Sequence, residues 1–305
     1  MKKKIAVLMG GPSPEYEVSL QSGENVIRNL DRKNFDVSGI VINKDGKFSI
    51  PPKSIRKFDL AFIAMHGPFG EDGTIQAILD EIGVAYTGSE ATVSRLGMDK
   101  IASKNLFIKE GIPTPDFRVV ESAYGIKDAA ESFGLPLMVK PSNQGSSVGV
   151  NVVRTPAEFS KAFAEAARFG PVIAEKFVQG KEIQAGILGK NSLPLIEIRP
   201  QNEFFDYEAK YTPGLSEEIT PAPLDEKTTK RIQQLALDAF QILGGRHFGR
   251  VDLFLTEEGT VLVSEINTIP GLTKNSLFPK EAAATGITAP ELFERIIDLA
   301  LNDAR

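Results

Sequence analysis

Residues 248–271, FGRVDLFLTEEGTVLVSEINTIPG, constrain the fold of this chain more than any other stretch, because one Asp, one Glu and one Asn interrupt two otherwise apolar runs. Val251, Leu253 and Leu255 alternate with Arg250, Asp252 and Phe254, and Val261 and Val263 alternate with Leu262 and Ser264, which is the period-two pattern of strands. Glu258-Gly259 supplies the turn. Folding the arms back about that dipeptide sets Asp252 opposite Glu265 and Arg250 opposite Asn267. Opposed side chains on one face of a sheet have Cβ atoms roughly 5 Å apart, and Asn267, two residues beyond Glu265, projects to the same face. Like charges so placed destabilise a sheet, and a cation or a proton between them removes the conflict. Hard oxygen donors favour Mg²⁺, which is commonly held by one or two carboxylates plus substrate phosphates; three oxygen-bearing side chains leave room for two ions. An isolated acid pair on a hairpin is more often a wet surface. Arg250 on the same face, and the NTIPGLTKNS loop that follows at once, point instead to phosphate chemistry.

The chain of 305 residues is long enough for two or three domains around substantial cores. With 35 Lys and Arg against 40 Asp and Glu, the net charge of −5 gives no general electrostatic reason to expect nucleic acid or a membrane surface as partner. The partner is expected to be small. The absence of cysteine excludes disulfides, thiolate metal sites and cysteine nucleophiles, and fits a reducing compartment, so the cytoplasm is the expected location. Lys2, Lys3 and Lys4 followed by IAVLM imitate a secretory signal, but the apolar run is short and breaks into Gly-Gly-Pro and acids. It reads as a first buried strand.

That strand, 5–9, ends at Gly10-Gly11, and Ser13 as N-cap with Pro14 at the first helical position predicts a helix to about residue 30. Strand, glycine turn and helix open a doubly wound α/β domain, whose ligands collect at the carboxyl ends of its strands. Glu15 at the helix start opposes a pyrophosphate and suits an amino group, although complementing the helix dipole explains it equally well. Strands at 37–42 and 60–65 continue the parallel sheet, the second ending in HGPFGEDG, so His66 stands at the ligand edge before a helix over 74–82. A short strand at 84–86 closes this first domain, 1–94. The second domain, 95–182, begins with a helix from Met98-Asp99-Lys100 and carries Lys140 ahead of PSNQGSSVGV, a glycine- and serine-rich turn whose backbone amides can face an anion. It ends in the connector Glu175-Lys176-Phe177-Val178 with Glu182, a favoured place for a ligand between domains. The third domain, 183–305, contains two strands, a long loop over 201–223 that reads as a lid, a helix over 225–243 with a core stripe of Ile232, Leu235, Ala236, Ala239 and Ile242, and then the central hairpin. His247 reads as structural.

Together GGPSPEYEVSL, HGPFGEDGTIQ, YTGS, MDK, VKPSNQGSSVGV, DYEAKYTPG, GRVD and EINTIPGLTKNSLFP resemble the ATP-grasp ligases and, within them, the D-alanine:D-alanine ligase family, over essentially the whole chain. The resemblance implies an α/β parallel-sheet domain followed by a two-domain α+β ATP-grasp fold, acting as a cytoplasmic homodimer. It implies ATP between the second and third domains: Lys100, Lys140, Ser146 and Ser147 at the phosphates, Glu175 and Val178 at adenine, Lys176 beside them, and Glu182 at ribose. Asp252, Glu265 and Asn267 would hold two Mg²⁺, with Mn²⁺ able to substitute.

Glu15, with His66 nearby, would hold the ammonium of the first D-alanine, and Ser276 and Leu277 the carboxylate of the second. Ser146 and Tyr211 would link Glu15 to the lid. The implied reaction is attack of the first carboxylate on the γ-phosphate, then displacement of phosphate by the second amine. Lys210 and Arg250 would compensate charge in the first step, and Arg250 with the Gly271 amide would stabilise the oxyanion of the second. The Lys210-Tyr211 pair favours D-alanine over D-lactate as second substrate. Thr220 stands where the family pattern has cysteine. A ligase with D-lactate or D-serine as second substrate, and a catalytically silent ATP-binding module, are the alternatives.

Overall fold

The computed structural model describes residues 2–200 and 216–303, so Lys210 and Tyr211 lie outside the described residues. The first sheet is parallel, in the order β2-β1-β3, from β1 (Lys3–Gly10), β2 (Phe35–Ile42) and β3 (Leu60–Ile63), with helix α1 (Tyr16–Asn29) crossing from β1 to β2. Residues 5–10 of β1 are all buried, as expected of a central parallel strand covered on both faces. The strand expected at 84–86 reduces to one parallel bridge between Ala61 and Tyr86. Helix α1 starts later than Pro14: Ser13 accepts the Glu15 backbone N–H at 3.1 Å, which closes a local turn, and Glu15 becomes the N-cap residue.

Helix α2 (Thr74–Ile82) ends at Gly83, whose φ of +76° gives the left-handed C-cap. The next helix, α3 (Ala91–Met98), is short and polar enough that the sequence did not announce it. Helix α4 (Lys100–Lys109) follows at once, capped by Asp99, whose carboxylate accepts the N–H groups of Ile101 and Ala102. The second sheet is antiparallel in the order β4-β7-β5-β6, built from β4 (Phe117–Val120), β5 (Leu137–Pro141), β6 (Asn151–Val153) and β7 (Val172–Lys176). Helices α5 (Ala123–Phe133) and α6 (Phe159–Ala166) pack on it through Ile126, Ala129, Phe159 and Ala162.

The third sheet runs β11-β10-β8-β12-β13, from β8 (Gly180–Leu188), β10 (Ile196–Pro200), β11 (Ser216–Ile219), β12 (Phe248–Thr256) and β13 (Val261–Asn267), with the short β9 (Asn191–Ser192) on β8. The stretch expected as one loop over 201–223 therefore contains a strand, β11, paired antiparallel to β10. Helix α7 (Glu226–Leu243) lays Ile232, Ala236, Ala239 and Leu243 against Ile183, Ala185, Val251 and Leu253. Strand alternation then turns Gln184, Arg250 and Asp252 to the opposite face.

The NTIPGLTKNS loop ends at Ser276, the N-cap of α8 (Leu277–Ala283). Helix α9 (Ala289–Asp303) returns to the first sheet and packs against β3 and α1. Its Phe293 meets Phe62 edge-on at 6.0 Å and 88°, and Leu292, Ile296 and Ile297 join Ile5 and Leu8 in one core. Each such side chain contributes about 1.5–3 kcal/mol of burial.

Candidate active site

The hairpin register places Asp252 opposite Glu265 and Arg250 opposite Asn267, as the sequence expects, but by a different route. Nearer the turn the pairs are Leu253 with Val263 and Leu255 with Val261, and the Thr256 N–H donates to the Thr260 carbonyl at 2.9 Å. The loop thus holds an odd number of residues, and one extra residue at Ser264 forms a bulge that restores the register at the acids. The bulge also changes the phase of the strand. Val261, Val263 and Ile266 are buried in the core, while Glu265 and Asn267 line the cavity on the other face.

Cations of the chain balance both acids. Arg250 donates from Nε and Nη2 to the two Asp252 oxygens at 2.7 and 2.8 Å, a bidentate fork. Lys100 stands 3.0 Å from the Glu265 carboxylate and donates to the Gln144 carbonyl at 2.7 Å. The donor set fits a hard divalent ion: two opposed carboxylates and the Asn267 amide oxygen, which accepts the Ile269 N–H at 3.2 Å and keeps a second lone pair. Among the described residues no cluster of three or more His, Cys, Asp or Glu forms a complete protein cage, so an ion here would complete its shell with other oxygens.

Two cavities meet at this hairpin. The larger, about 580 Å³, is lined by Glu15, His66, Ser146, Arg250, Asn267, Gly271, Ser276 and Leu277. The smaller, about 170 Å³, lies between the second and third sheets and is lined by Lys140, Ser147, Glu175, Lys176, Val178, Glu182 and Asp252. Lys100, Gly145 and Glu265 line both. The expected site residues within the described set therefore converge, Ser146 standing in the larger cavity and Ser147 in the smaller.

Ser146 and Ser147 have φ of +48° and +58°, left-handed backbone rare outside glycine and concentrated at functional sites. Ser146 donates its hydroxyl to Glu15 Oε1 at 2.6 Å, which ties the phosphate-type turn of the second sheet to the start of α1. Gly67 makes room for Glu15: a Cβ there would lie 2.7 Å from Glu15 Oε2, and its φ is +72°. His66 accepts the Ser22 hydroxyl at Nε2, 2.8 Å, and donates from Nδ1 to the Ile269 carbonyl, 3.1 Å, which fixes its tautomer. Burial lowers its pKa against the pull of Glu15, so the ring is neutral at pH 7. The Ser276 hydroxyl accepts the Thr273 N–H at 3.1 Å, and a Cβ at Gly271 would stand 2.7 Å from it. His247 is structural: Nδ1 accepts the Gly88 N–H at 3.1 Å, and Nε2 donates to Asp303 at 3.0 Å.

Three ionisable groups that the sequence does not single out, Lys104 and Glu281 buried and Glu71 largely so, stand around the site. Glu71 accepts the Gly67 N–H at 2.7 Å, and burial, followed by the charge of Glu15, pushes its pKa well above the carboxylate range. It sits inside HGPFGEDG, where its spacing of five from His66 was the available signal. Lys104 lies behind Glu175, one helical turn after Lys100, and that i,i+4 spacing placed it on the same face. Glu281 lies beside Gly186, whose N–H donates to its Oε1 at 2.8 Å, and burial lifts its pKa to about 8 against the attraction of Arg250.

Residues 4–58 and 49–89 match the family model described as D-ala D-ala ligase N-terminus, and residues 106–298 match D-ala D-ala ligase C-terminus. The chain is 42% identical over 301 residues to the D-alanine–D-alanine ligase of Methylacidiphilum infernorum, covering 98% of this chain and 96% of that one. It is 42% identical over 315 residues to that of Pelotomaculum thermopropionicum, covering 99% and 98%. Among solved structures, the Bacillus anthracis D-alanine–D-alanine ligase complexed with ATP superposes with a TM-score of 0.85 at 31% identity, over 99% of this chain and 98% of that one. The VanG D-Ala:D-Ser ligase of Enterococcus faecalis superposes with a TM-score of 0.89 at 31% identity, over 98% and 100%.

Proposed function

Because the chain belongs to the D-alanine–D-alanine ligase family, we propose that it couples ATP cleavage to the joining of two D-alanines into D-alanyl-D-alanine, a peptidoglycan precursor. The observation that carries this reading is the Asp252–Glu265 pair at the seam of the two cavities. An anion transferred at that seam passes from the smaller cavity toward Glu15 and Ser146 in the larger one.

ATP occupies the smaller cavity in this reading, with Lys100, Lys140, Ser146 and Ser147 toward the phosphates, Glu175, Lys176 and Val178 toward the base, and Glu182 toward the ribose. Asp252, Glu265 and Asn267 hold Mg²⁺, which neutralises phosphate charge when bound. Glu15, beside the neutral His66, takes the first ammonium. The first carboxylate attacks the γ-phosphorus, ADP leaves, and D-alanyl phosphate forms. Ser276 and Leu277 orient the second D-alanine, whose amine attacks the carbonyl carbon and expels phosphate. Arg250 and the Gly271 N–H receive the developing oxyanion, and the resemblance assigns Lys210 to charge compensation in the first step and Tyr211 to the link with Ser146.

D-alanine as second substrate is supported by the names of the relatives at 42% identity. The D-Ala:D-Ser ligase of the same fold makes the competition experiment the deciding one. The division into 1–94, 95–182 and 183–305 follows the three sheets, with α4 of the second unit packed on the third sheet and α9 of the third on the first; a cytoplasmic homodimer is supported by the resemblance. No helix among the described residues is long and apolar enough to cross a membrane. The test is ATP-dependent phosphate release with D-alanine, D-serine and D-lactate in competition and products separated by mass. Dominant D-alanyl-D-alanine is expected, with turnover reduced by about 10³-fold or more in Glu265→Gln. No D-alanine-dependent phosphate release, or ester as the main product at neutral pH, would overturn the reading.

A further inference from the structure

Lys104 is a lysine with no exposed side-chain surface, and it lines neither cavity. Its ammonium stands 2.8 Å from Glu175 Oε2 and donates to the Thr114 hydroxyl at 2.6 Å and the Pro115 carbonyl at 3.4 Å, with the Phe117 ring 5.6 Å away. The other oxygen of Glu175, Oε1, accepts from Lys140 at 3.1 Å. Lys104 sits on α4, which packs against α7 and β13 of the third sheet, whereas Thr114 leads into the second sheet and Glu175 belongs to β7. One buried cation thus joins the two walls of the smaller cavity.

Burying an ammonium is costly unless it is paired and hydrogen-bonded. Here it is paired to a carboxylate that already has a cation, Lys140, on its cavity side. The second cation holds the oxygen that Lys140 does not reach, so both carboxylate oxygens are fixed. With an ammonium on each oxygen, Glu175 stays ionised: burial alone would raise its pKa, and Lys104 and Lys140 together hold it below the ordinary value. An ionised carboxylate accepts hydrogen bonds and cannot donate one. A neutral carboxyl in the same place could rotate and donate to a carbonyl oxygen.

We infer that Lys104 is a positioning residue for base selection: held from behind, Glu175 faces the cavity as a fixed acceptor, so a purine presenting an exocyclic amino group binds and one presenting a carbonyl is rejected. The inference rests on the nucleotide occupying the smaller cavity.

The test compares the parent with Lys104→Met, which keeps the unbranched stem, and with Thr114→Val, which removes one of the partners that fix the ammonium. Steady-state kinetics are measured with ATP and GTP at saturating D-alanine, and with D-alanine at saturating ATP. In Lys104→Met, KM for ATP should rise about tenfold and the ATP-to-GTP ratio of kcat/KM should fall about tenfold or more. KM for D-alanine and kcat should stay within about twofold. Thr114→Val should move the same ratio in the same direction by about two- to threefold. Adding Glu175→Gln to Lys104→Met should not restore discrimination, because the amide can turn its donor toward a carbonyl as a neutral carboxyl can; restored discrimination overturns the inference. An unchanged ATP-to-GTP ratio in Lys104→Met, with or without lost thermal stability, overturns the inference. If Lys104→Met does not fold, an unchanged ratio in Thr114→Val does so. Failure of the parent to couple D-alanine would instead overturn the ligase reading.

Discussion

Glu281 and Asp252 are both buried acids near Arg250, yet only Asp252 receives its guanidinium fork. Glu281 keeps its proton more tightly in the fold than in the open chain, with a pKa of about 8 against an ordinary 4.5. Its favourable contribution is therefore fully present below the ordinary value and is lost as pH rises through about 8. Glu281→Gln mimics the protonated form, so its Tm should match the parent's near pH 5 and exceed it by a few degrees near pH 9. Scanning calorimetry at the two pH values checks this, and an equal difference at both would contradict it. Asp252, Glu265 and Asn267 were legible in the sequence because a charged residue inside an alternating apolar strand is conspicuous. Lys104, Glu71 and Glu281 were not, because each lies on a helix or loop where polar residues are ordinarily solvated. Only contacts with residues distant in the chain, such as Glu175 for Lys104 and Gly186 for Glu281, reveal their burial.

In the central hairpin the acids face the cavity because a bulge corrects the phase, not because the turn has an even length. A strand that kept strict alternation from Val261 and Val263 would turn Glu265 toward α7 and Ile266 toward the cavity. The bulge at Ser264 prevents this. The slip is written in the sequence as V-x-V-x-x-I, one step of two followed by a step of three, and it marks where the phase changes. Deleting Ser264 removes the extra residue and leaves Val263 opposite Leu253 and Glu265 opposite Asp252 in an unbroken ladder, so Glu265 and Asn267 should keep the cavity face. We expect ATP-dependent turnover to persist and Tm to stay within about 5 °C of the parent's, measured by phosphate release and circular dichroism. Abolished turnover in a folded variant would show that the bulge sets more than the face. Helix α3 and strand β11 were missed for a different reason. Both are short and half-buried, and their pairing partners, not their own pattern, stabilise them.

In the whole molecule, the three-sheet order was legible from the succession of strands, glycine turns and helices, whereas the return of α9 to the first sheet was not. An amphipathic helix at residues 289–303 fits any exposed apolar face, and nothing in its own sequence names β3 and α1 as its seat. Phe293→Ala removes the edge-on partner of Phe62 and should cost about 3–5 kcal/mol. It should also weaken the first D-alanine site, since Glu15 and His66 stand at the ends of elements that this helix covers. The measurement is a urea titration beside KM for the first D-alanine, and an unchanged midpoint would contradict the packing described.

The seat of α9 also bears on how the protein is made. Strands β1 to β3 leave the ribosome early, but the helix that covers Phe62 follows more than 220 residues later, at translation rates of about 5–20 residues per second roughly ten to forty-five seconds afterward. Through that interval the nascent first sheet exposes an apolar face of just the kind that holdase chaperones bind, and its maturation has to wait for nearly the whole message to be read.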